Sequence, residues 1–304
     1  MIRIRKLTAK DLPKVRQMNP DFFLTLTEHK DVLLDCVYTA YAGSRFLGAC
    51  FLYAGPSFLK IFERELPVYH LHMMIASVSG TEEEADALSR LTDALMKDTQ
   101  RIRKNFPRKK IVLRTWVRES AVYARDFFLY KGFRPVREMK EFAFDLTADL
   151  PAPVFPEGLQ PEALDIMEQE QLKAYEKSSN EAFLVANSLS DILFQCRDGN
   201  GKIYVLREEG RVLSGILAYQ INDDACAAEN IFTVPDHQKE GLAGSLLMHV
   251  LHEMKKKGHK TVVLSVFEED AAAIRFYQDK GFYARDSRLE LWYDDGNVTD
   301  IPLY

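Results

Sequence analysis

The chain has 304 residues, 47% hydrophobic and 28% charged, a balance ordinary for a folded globular protein and a length suited to two domains. A formal net charge of −5 gives no support to generic binding of nucleic acid or of an anionic membrane. Cys36, Cys50, Cys196 and Cys226 are scattered without a CxxC pair, and no apolar run approaches bilayer length, so the expectation is a reduced, cytoplasmic protein.

Ile2 to Leu7 alternates like an opening strand. Thr8 is placed to cap a helix carrying Leu12, Val15 and Met18, which Asn19-Pro20 ends. A second helix is expected over His29 to Ala40, then strands over Arg45 to Tyr53 and Val68 to Val78. A long helix from Thr81 to Arg103, a strand from Ile111 to Val117 and a helix from Tyr123 to Tyr130 follow, leading into Gly132-Phe133. Two short strands, Phe133 to Arg137 and Met139 to Leu146, close the first half.

Pro151, Pro153, Pro156 and Gly158 punctuate a linker, which sets the expected division at residues 1–147, a linker 148–158 and a second domain 159–304. The second domain opens with a helix over Pro161 to Lys177, a loop through Ser178-Ser179-Asn180 and a helix from Glu181 to Cys196. Lys202 to Glu208 and Arg211 to Ile221 flank Glu209-Gly210 as a hairpin, and Ala225 to Val234 forms the next strand. Pro235-Asp236-His237 turns the chain into a helix with Leu242, Ala243, Leu246, Leu247, Val250, Leu251 and Met254 on one face, stopped by Gly258. A strand over Thr261 to Phe267, a helix through Ala273 to Tyr277 and a strand ending at Tyr293 complete the chain.

The two halves repeat. Ala124-x-x-Phe127-Phe128 precedes Gly132-Phe133, and Ala273-x-x-Phe276-Tyr277 precedes Gly281-Phe282, at a constant offset of 149 residues (124 against 273). This reads as a duplicated domain. The halves differ at the turn before the long helix. The second has a glycine-bearing loop running into a helix N-terminus, where free N–H groups and the positive dipole end favour an anion. The first has Ser79-Gly80-Thr81-Glu82-Glu83-Glu84, whose carboxylates would repel a pyrophosphate.

Gln238-x-x-Gly241-x-Ala243 and the downstream Ala273-x-x-Phe276-Tyr277…Gly281-Phe282, in that order and with a strand between them, resemble the two motifs of the GNAT (GCN5-related N-acetyltransferase) superfamily. The resemblance implies an α/β fold in the form of two tandem GNAT-like domains, each a twisted mixed β-sheet flanked by helices. It also implies acetyl-CoA as co-substrate, lying in an opening between the strands matched by Ala225–Val234 and Thr261–Phe267. Carried over by position, the main chain of Phe232, Thr233 and Val234 would meet the pantetheine arm. Gln238, Lys239, Glu240, Gly241, Leu242, Ala243, Gly244 and Ser245 would surround the pyrophosphate. Lys239 is either a charge-assisted contact or a solvated lysine, and Glu240 departs from the glycine or basic residue usual there. Asp270 replaces the family's common Asn and is either a pantetheine contact or a helix cap; Ala273 and Phe276 line the same passage.

Tyr277 is the candidate general acid for the departing thiolate, the alternative being a ring packed in the core. Phe128, at the matching position of the first half, has no hydroxyl, so that half is expected to be degenerate and non-catalytic. Glu229 is the candidate base for the acceptor ammonium, the alternative being a paired or rim carboxylate. Strand alternation would put it on one face with Ile231 and Thr233. His249 and His252 lie one helical turn apart without a third ligand, and no metal is expected. Glu176, Glu181, Asp286, Asp294 and Asp295 hint at a cationic acceptor.

The expected function is transfer of an acetyl group to a primary amine of a small molecule or peptide in a ternary complex, by a monomer or homodimer acting without nucleic acid or membrane. The alternatives are a non-catalytic acyl-CoA-binding or protein-interaction module, or a transferase using another acyl donor.

Overall fold

A computed structural model describes residues 1–59, 65–66, 68–77, 81–183, 189–197 and 200–294. By internal contacts the chain divides into two compact units. The first holds Met1–Val117, Tyr123–Val136 and Glu290–Tyr304; the second holds Arg118–Val122 and Arg137–Leu289. Each unit therefore takes segments from both sequence halves.

The first unit starts with β1 (Ile2–Lys6), a 3₁₀ turn (Ala9–Asp11) and α1 (Leu12–Met18). Asn19-Pro20 ends α1 and also begins α2 (Pro20–Glu28): the Asn19 side chain caps Phe22 N–H, and Pro20 needs no N–H partner at the first position. Beyond it, the expected helix over His29–Ala40 is instead β2 (Val32–Ala42). Val32, Val37, Tyr38, Thr39 and Tyr41 favour a pleated surface, and the segment pairs on one side with β1 and on the other with β3 (Arg45–Ala54). A register shift between Val32 and Val37 interrupts the alternation that would have announced a strand.

The short α3 (Pro56–Leu59), β4 (Tyr69–Ser77), α4 (Glu82–Asn105), β5 (Ile111–Arg118) and α5 (Val122–Tyr130) follow the expected order. The strands lie β1-β2-β3-β4-β5, and α4 buries Ala87, Leu91 and Leu95 against them. The two strands expected over Phe133–Leu146 are one, β6 (Arg134–Asp145), which crosses the unit boundary at Val136.

In the second unit the expected helix at Pro161 is preceded by an edge strand, β7 (Pro161–Ala163), where a proline without an N–H is tolerated. The helix proper, α6 (Gln169–Ala182), runs through Ser178–Asn180, the stretch expected to be a loop. Of the helix expected over Glu181–Cys196, α7 (Leu189–Cys196) is present, and residues 184–188 lie outside the described residues. Next come β8 (Gly201–Glu208), β9 (Arg211–Gln220), β10 (Ala225–Thr233), α8 (Leu242–Lys256), β11 (Thr261–Phe267), α9 (Ala271–Asp279) and β12 (Tyr283–Tyr293). The order is β6-β11-β10-β9-β8-β7, with β10 and β11 parallel and the other pairs antiparallel. The apolar face of α8 (Leu242, Leu246, Leu247, Val250, Leu251, Met254) is buried in the unit's main core.

The repeat read from sequence exists in three dimensions. Phe127–Phe128 and Phe276–Tyr277 are edge-to-face pairs at 5.1 and 5.2 Å, and the second ring of each meets Phe133 or Phe282. Both helices end alike: Phe133 N–H donates to Phe128 O and Phe282 N–H to Tyr277 O, each at 3.0 Å. Gly132 (φ +85°) and Gly281 (φ +92°) supply the left-handed turns between. All four cysteines are free and buried, and among the described residues no helix is long and apolar enough to cross a membrane.

Candidate active site

The parallel pair β10–β11 is in register over three positions, Ala225–Ala227 opposite Thr261–Val263, although the strands continue to Thr233 and Phe267. Past Ala227 the β11-facing edge of β10 is thus open. On its other edge β10 carries a bulge: Glu229 pairs with Leu217 and Phe232 with Gly215, so Asn230 and Ile231 stand where β9 supplies one residue. Asn230 adopts φ +51°, a left-handed conformation that Asn tolerates better than most residues. Its side chain is tied to α6, donating to the Tyr175 hydroxyl (2.5 Å) and to Ser179 Oγ (3.1 Å), both buried.

The bulge overturns the expected grouping of Glu229, Ile231 and Thr233 on one face. Leu217 and Gly215 share a face of β9, so Glu229 and Phe232 share the matching face of β10. The main chain of the expected trio is also divided. Val234 N–H donates to Leu213 O, which directs Val234, and by alternation Phe232, toward β9. The Phe232 carbonyl further accepts from Ser214 Oγ at 2.6 Å. Thr233 alone of the three turns its N–H and C=O to the open edge.

The turn after β10 begins with a 3₁₀ segment, Pro235–His237, whose Asp236 is gripped by both guanidinium nitrogens of Arg211 (2.7 and 3.1 Å). Arg211 also reaches Glu181 of α6 at 3.0 Å, bracing the turn against that helix. Lys239 (φ +70°) and Gly241 (φ +81°) are left-handed, and Gly241 caps α8 with no side chain accepting from the first-turn N–H groups. Those donors have no intrahelical partner, so the turn presents them to a ligand. Gln238 and Lys239 are exposed; Glu240 is turned to His237 Nδ1 (3.1 Å), off the cradle. Leu242 is core and Ala243 half-buried.

Gly244 matters for what lies over it: an added Cβ would sit 3.1 Å from Lys280 Cε and 3.2 Å from Nζ. Lys280 therefore holds its ammonium above the first turn of α8, with no carboxylate paired to it among the described residues. Lys131, its counterpart in the repeat, is neutralised by Asp93 at 2.8 Å. Ser245 does not join the cradle. Its N–H is the helical bond to Gly241 O (3.0 Å), and its hydroxyl donates to Val154 O of the linker.

Tyr277 is a buried ring between Phe276 and Phe282, and among the described residues its hydroxyl makes no hydrogen bond. Burial, then the charge of Asp270, pushes its phenol well above the usual range, so it stays protonated at neutral pH. Asp270 is the cap of α9, its Oδ1 accepting from Ala273 N–H at 2.9 Å. Ala273 is half-buried and Phe276 packs within 3.6 Å of the Gly244 position. Glu229 accepts a hydrogen bond from Tyr219 Oη at 2.7 Å. Burial, then the Glu229 charge, raises the Tyr219 phenol far above normal, with Arg288 opposing.

The matching turn of the first unit is filled by its own side chains. The Thr81 hydroxyl accepts from Glu84 N–H (3.3 Å), Glu84 accepts from Thr81 N–H (2.9 Å), and Arg45 neutralises Glu83 and Glu84. Of the five acids behind the acceptor hint, Glu181, Asp286 and Asp294 are paired with Arg211, Arg118 and Arg134, Glu176 is half-buried without an ion pair among the described residues, and Asp295 lies outside the described residues. His249 meets the Tyr204 and Phe155 rings edge-to-face, while His252 Nε2 meets the Pro151 carbonyl at 2.9 Å. Asn230, Tyr219 and Lys280 escaped the sequence reading, and of these only Lys280, next to the Gly281-Phe282 turn, stood beside a motif that could have pointed to it; Tyr175, Ser179 and Arg288 lie in the segments 175–186 and 283–292 that the resemblance matches to the acceptor site.

Residues 162–282 match the model of the Acetyltransferase (GNAT) family. Among curated proteins, the [Ribosomal protein bS18]-alanine N-acetyltransferase of Escherichia coli (strain K12) is 34% identical over 79 residues, 26% of this chain and 53% of that protein. The Salmonella typhimurium protein of that name is 38% identical over 89 residues, 28% of this chain and 60% of its own. The chain thus spans little more than half the length of these relatives. Among solved structures, a GCN5-related N-acetyltransferase from Sphaerobacter thermophilus aligns with TM-score 0.66 at 15% identity, over 96% of this chain and 95% of that one. A tandem GNAT protein from the clavulanic acid biosynthesis pathway aligns with TM-score 0.68 at 12% identity, over 97% and 99%, a likeness of fold. Residues 162–282 thus form a domain matched to the GNAT family, and the likeness to solved structures over the rest of the chain is one of fold.

Proposed function

We propose that the second unit binds acetyl-CoA and transfers its acetyl group to a primary amine by direct attack in a ternary complex. One contrast carries this reading. The second unit joins an open β10 edge to an uncapped α8 N-terminus beneath an unneutralised Lys280, whereas the first unit caps its equivalent helix and neutralises its equivalent lysine. The first sequence half is accordingly non-catalytic.

In this mechanism the α8 first-turn amides from Gly241 to Gly244, with Lys280, hold the pyrophosphate. Thr233 main-chain groups pair with the pantetheine arm, and amides freed by the bulge face the thioester carbonyl oxygen. Glu229 takes a proton from the acceptor ammonium, directly or through water. The freed nitrogen attacks the carbonyl carbon, a C–N bond forms, the nitrogen sheds its surplus proton to water, and the C–S bond breaks. The Tyr277 hydroxyl hydrogen-bonds to the departing sulfur and yields its proton as charge builds there; solvent restores it. Holding amine and thioester together supplies much of the acceleration.

The test is release of free CoA thiol from acetyl-CoA in the presence of pooled primary amines, with acetylated products read by mass spectrometry. Amine-dependent release supports transfer. Binding without release would favour a non-catalytic acyl-CoA-binding module.

A further inference from the structure

We infer that the open edge of β1 is a docking site for an extended segment of another protein, one that alternates carboxylate side chains with small apolar ones and adds to the sheet as a further strand. The inference stands apart from the acetyl-transfer reading and does not depend on it.

β1 is the end strand of the sheet, paired with β2 on its inner side. Leu7 N–H donates to Val37 O, in step with the pairs Arg5–Thr39 and Arg3–Tyr41, so by alternation Ile2 and Ile4 turn their N–H and C=O groups away from β2. Among the described residues no hydrogen bond reaches those main-chain groups, and a strand edge in this state is a template for pairing with another chain.

The two faces of this edge differ. Ile2 and Ile4 point toward α4, where with Ser89 and Ala94 they line an open hollow of about 670 Å³. The carboxylates around it are already matched: Asp86 by Arg90 at 3.0 Å, Asp93 by Lys131 at 2.8 Å and Asp98 by Arg101 at 3.1 Å. Arg3 and Arg5 point to the opposite face, where with Lys10, Lys14 and Tyr41 they line a second open hollow of about 360 Å³. The carboxylate in that lining, Asp11, is buried and taken by Arg5 and by the Tyr41 hydroxyl. Four cations against one carboxylate leave three positive charges in excess, and Arg3, Lys10 and Lys14 have no carboxylate partner among the described residues.

A strand laid along β1 sets the residues opposite Arg3 and Arg5 on the basic face and the residue opposite Ile4 over the apolar floor. Carboxylates at the first two positions and a small apolar side chain at the third satisfy both faces. A second copy of this chain does not. Outward-facing residues must stand opposite outward-facing residues, so every antiparallel self-pairing that overlaps three or more residues of β1 sets Arg3 or Arg5 against an arginine of the other copy. Like charges directly opposite one another block that pairing.

The probe is a fluorescein-labelled heptapeptide alternating glutamate with valine, titrated with the full chain and read by fluorescence anisotropy. Two controls share its length: a peptide of the same composition with its glutamates in one block, and a peptide alternating lysine with valine. The alternating acidic peptide is expected to bind at least about tenfold more tightly than either control and to slow hydrogen exchange of the β1 amides. Arg3→Glu combined with Lys10→Glu should weaken binding about tenfold or more, with the difference shrinking as salt is added. Ile4→Pro leaves every charge in place and removes an outward-facing N–H, a change an edge strand tolerates, and should weaken binding to a similar degree; Ile4→Ala, which retains the N–H, is its control. An unchanged thermal midpoint shows that each variant folds. Equal binding of the block peptide, or full binding to Ile4→Pro, would overturn strand addition, and no binding of the alternating acidic peptide would overturn the site. A concentration-dependent dimer that is lost in Ile4→Pro would assign the edge to a second copy and overturn the acidic partner.

Discussion

Replacing Tyr277 by Phe removes one oxygen from a site whose surroundings limit every other consequence. The ring stays between Phe276 and Phe282, and the repeat already accommodates Phe128 in the same packing. No hydrogen bond is lost among the described residues, so folding stability should change by less than about 1 kcal/mol. What disappears is a donor to charge developing on the leaving sulfur, a contribution of about 2.7–4 kcal/mol, or 10²–10³ in kcat. The assay is steady-state thiol release, with acetyl-CoA affinity measured in parallel by calorimetry and expected to stay within about threefold. The pH profile adds a second check. The raised phenol pKa gives a stability contribution that is complete below the unfolded value of about 10 and is lost as pH climbs through the folded value. Tyr277 therefore stays protonated through pH 6–9 and contributes no limb to the kcat profile there. A kcat within threefold of the native value would refute the assignment, and so would a neutral-pH limb that vanishes in Tyr277→Phe.

Two further substitutions test the geometry around the opening. Asn230→Gly keeps access to the left-handed backbone and loses the tie to Tyr175 and Ser179, whereas Asn230→Val also makes that backbone unfavourable. We expect kcat to fall in both, about tenfold further in Asn230→Val; equal activities would show that the bulge is not held by this residue. Lys280→Glu puts a carboxylate over the first turn of α8 and should raise KM for acetyl-CoA about tenfold or more with kcat largely kept, as measured by initial rates. An unchanged KM would remove Lys280 from the phosphate cradle.

The parts legible in sequence were those fixed by local rules. Gly241 and Gly281 mark left-handed turns, the α8 face has helical period, and the 149-residue repeat survives as matching ring pairs and helix ends. The segment Val32–Ala42 was misread because pairing on both edges, rather than residue spacing, decides its conformation. Pro161 looked like a helix start because a proline suits an edge strand equally well. At the candidate site, residue types were visible while partners were not. Ser245 is engaged by Val154, Asp270 by Ala273 N–H, and three of the acids by arginines distant in sequence. The bulge at Asn230 had no signal at all, since it depends on β9 offering one residue against two.

The division of labour between the halves is tested most directly by calorimetric titration of the purified chain with acetyl-CoA, reading stoichiometry and affinity. One site per chain is expected, lost in Gly241→Val, where a β-branched residue cannot hold φ +81°. Two sites would contradict the reading of the first half as a filled, non-binding domain, and no binding would contradict the donor site itself.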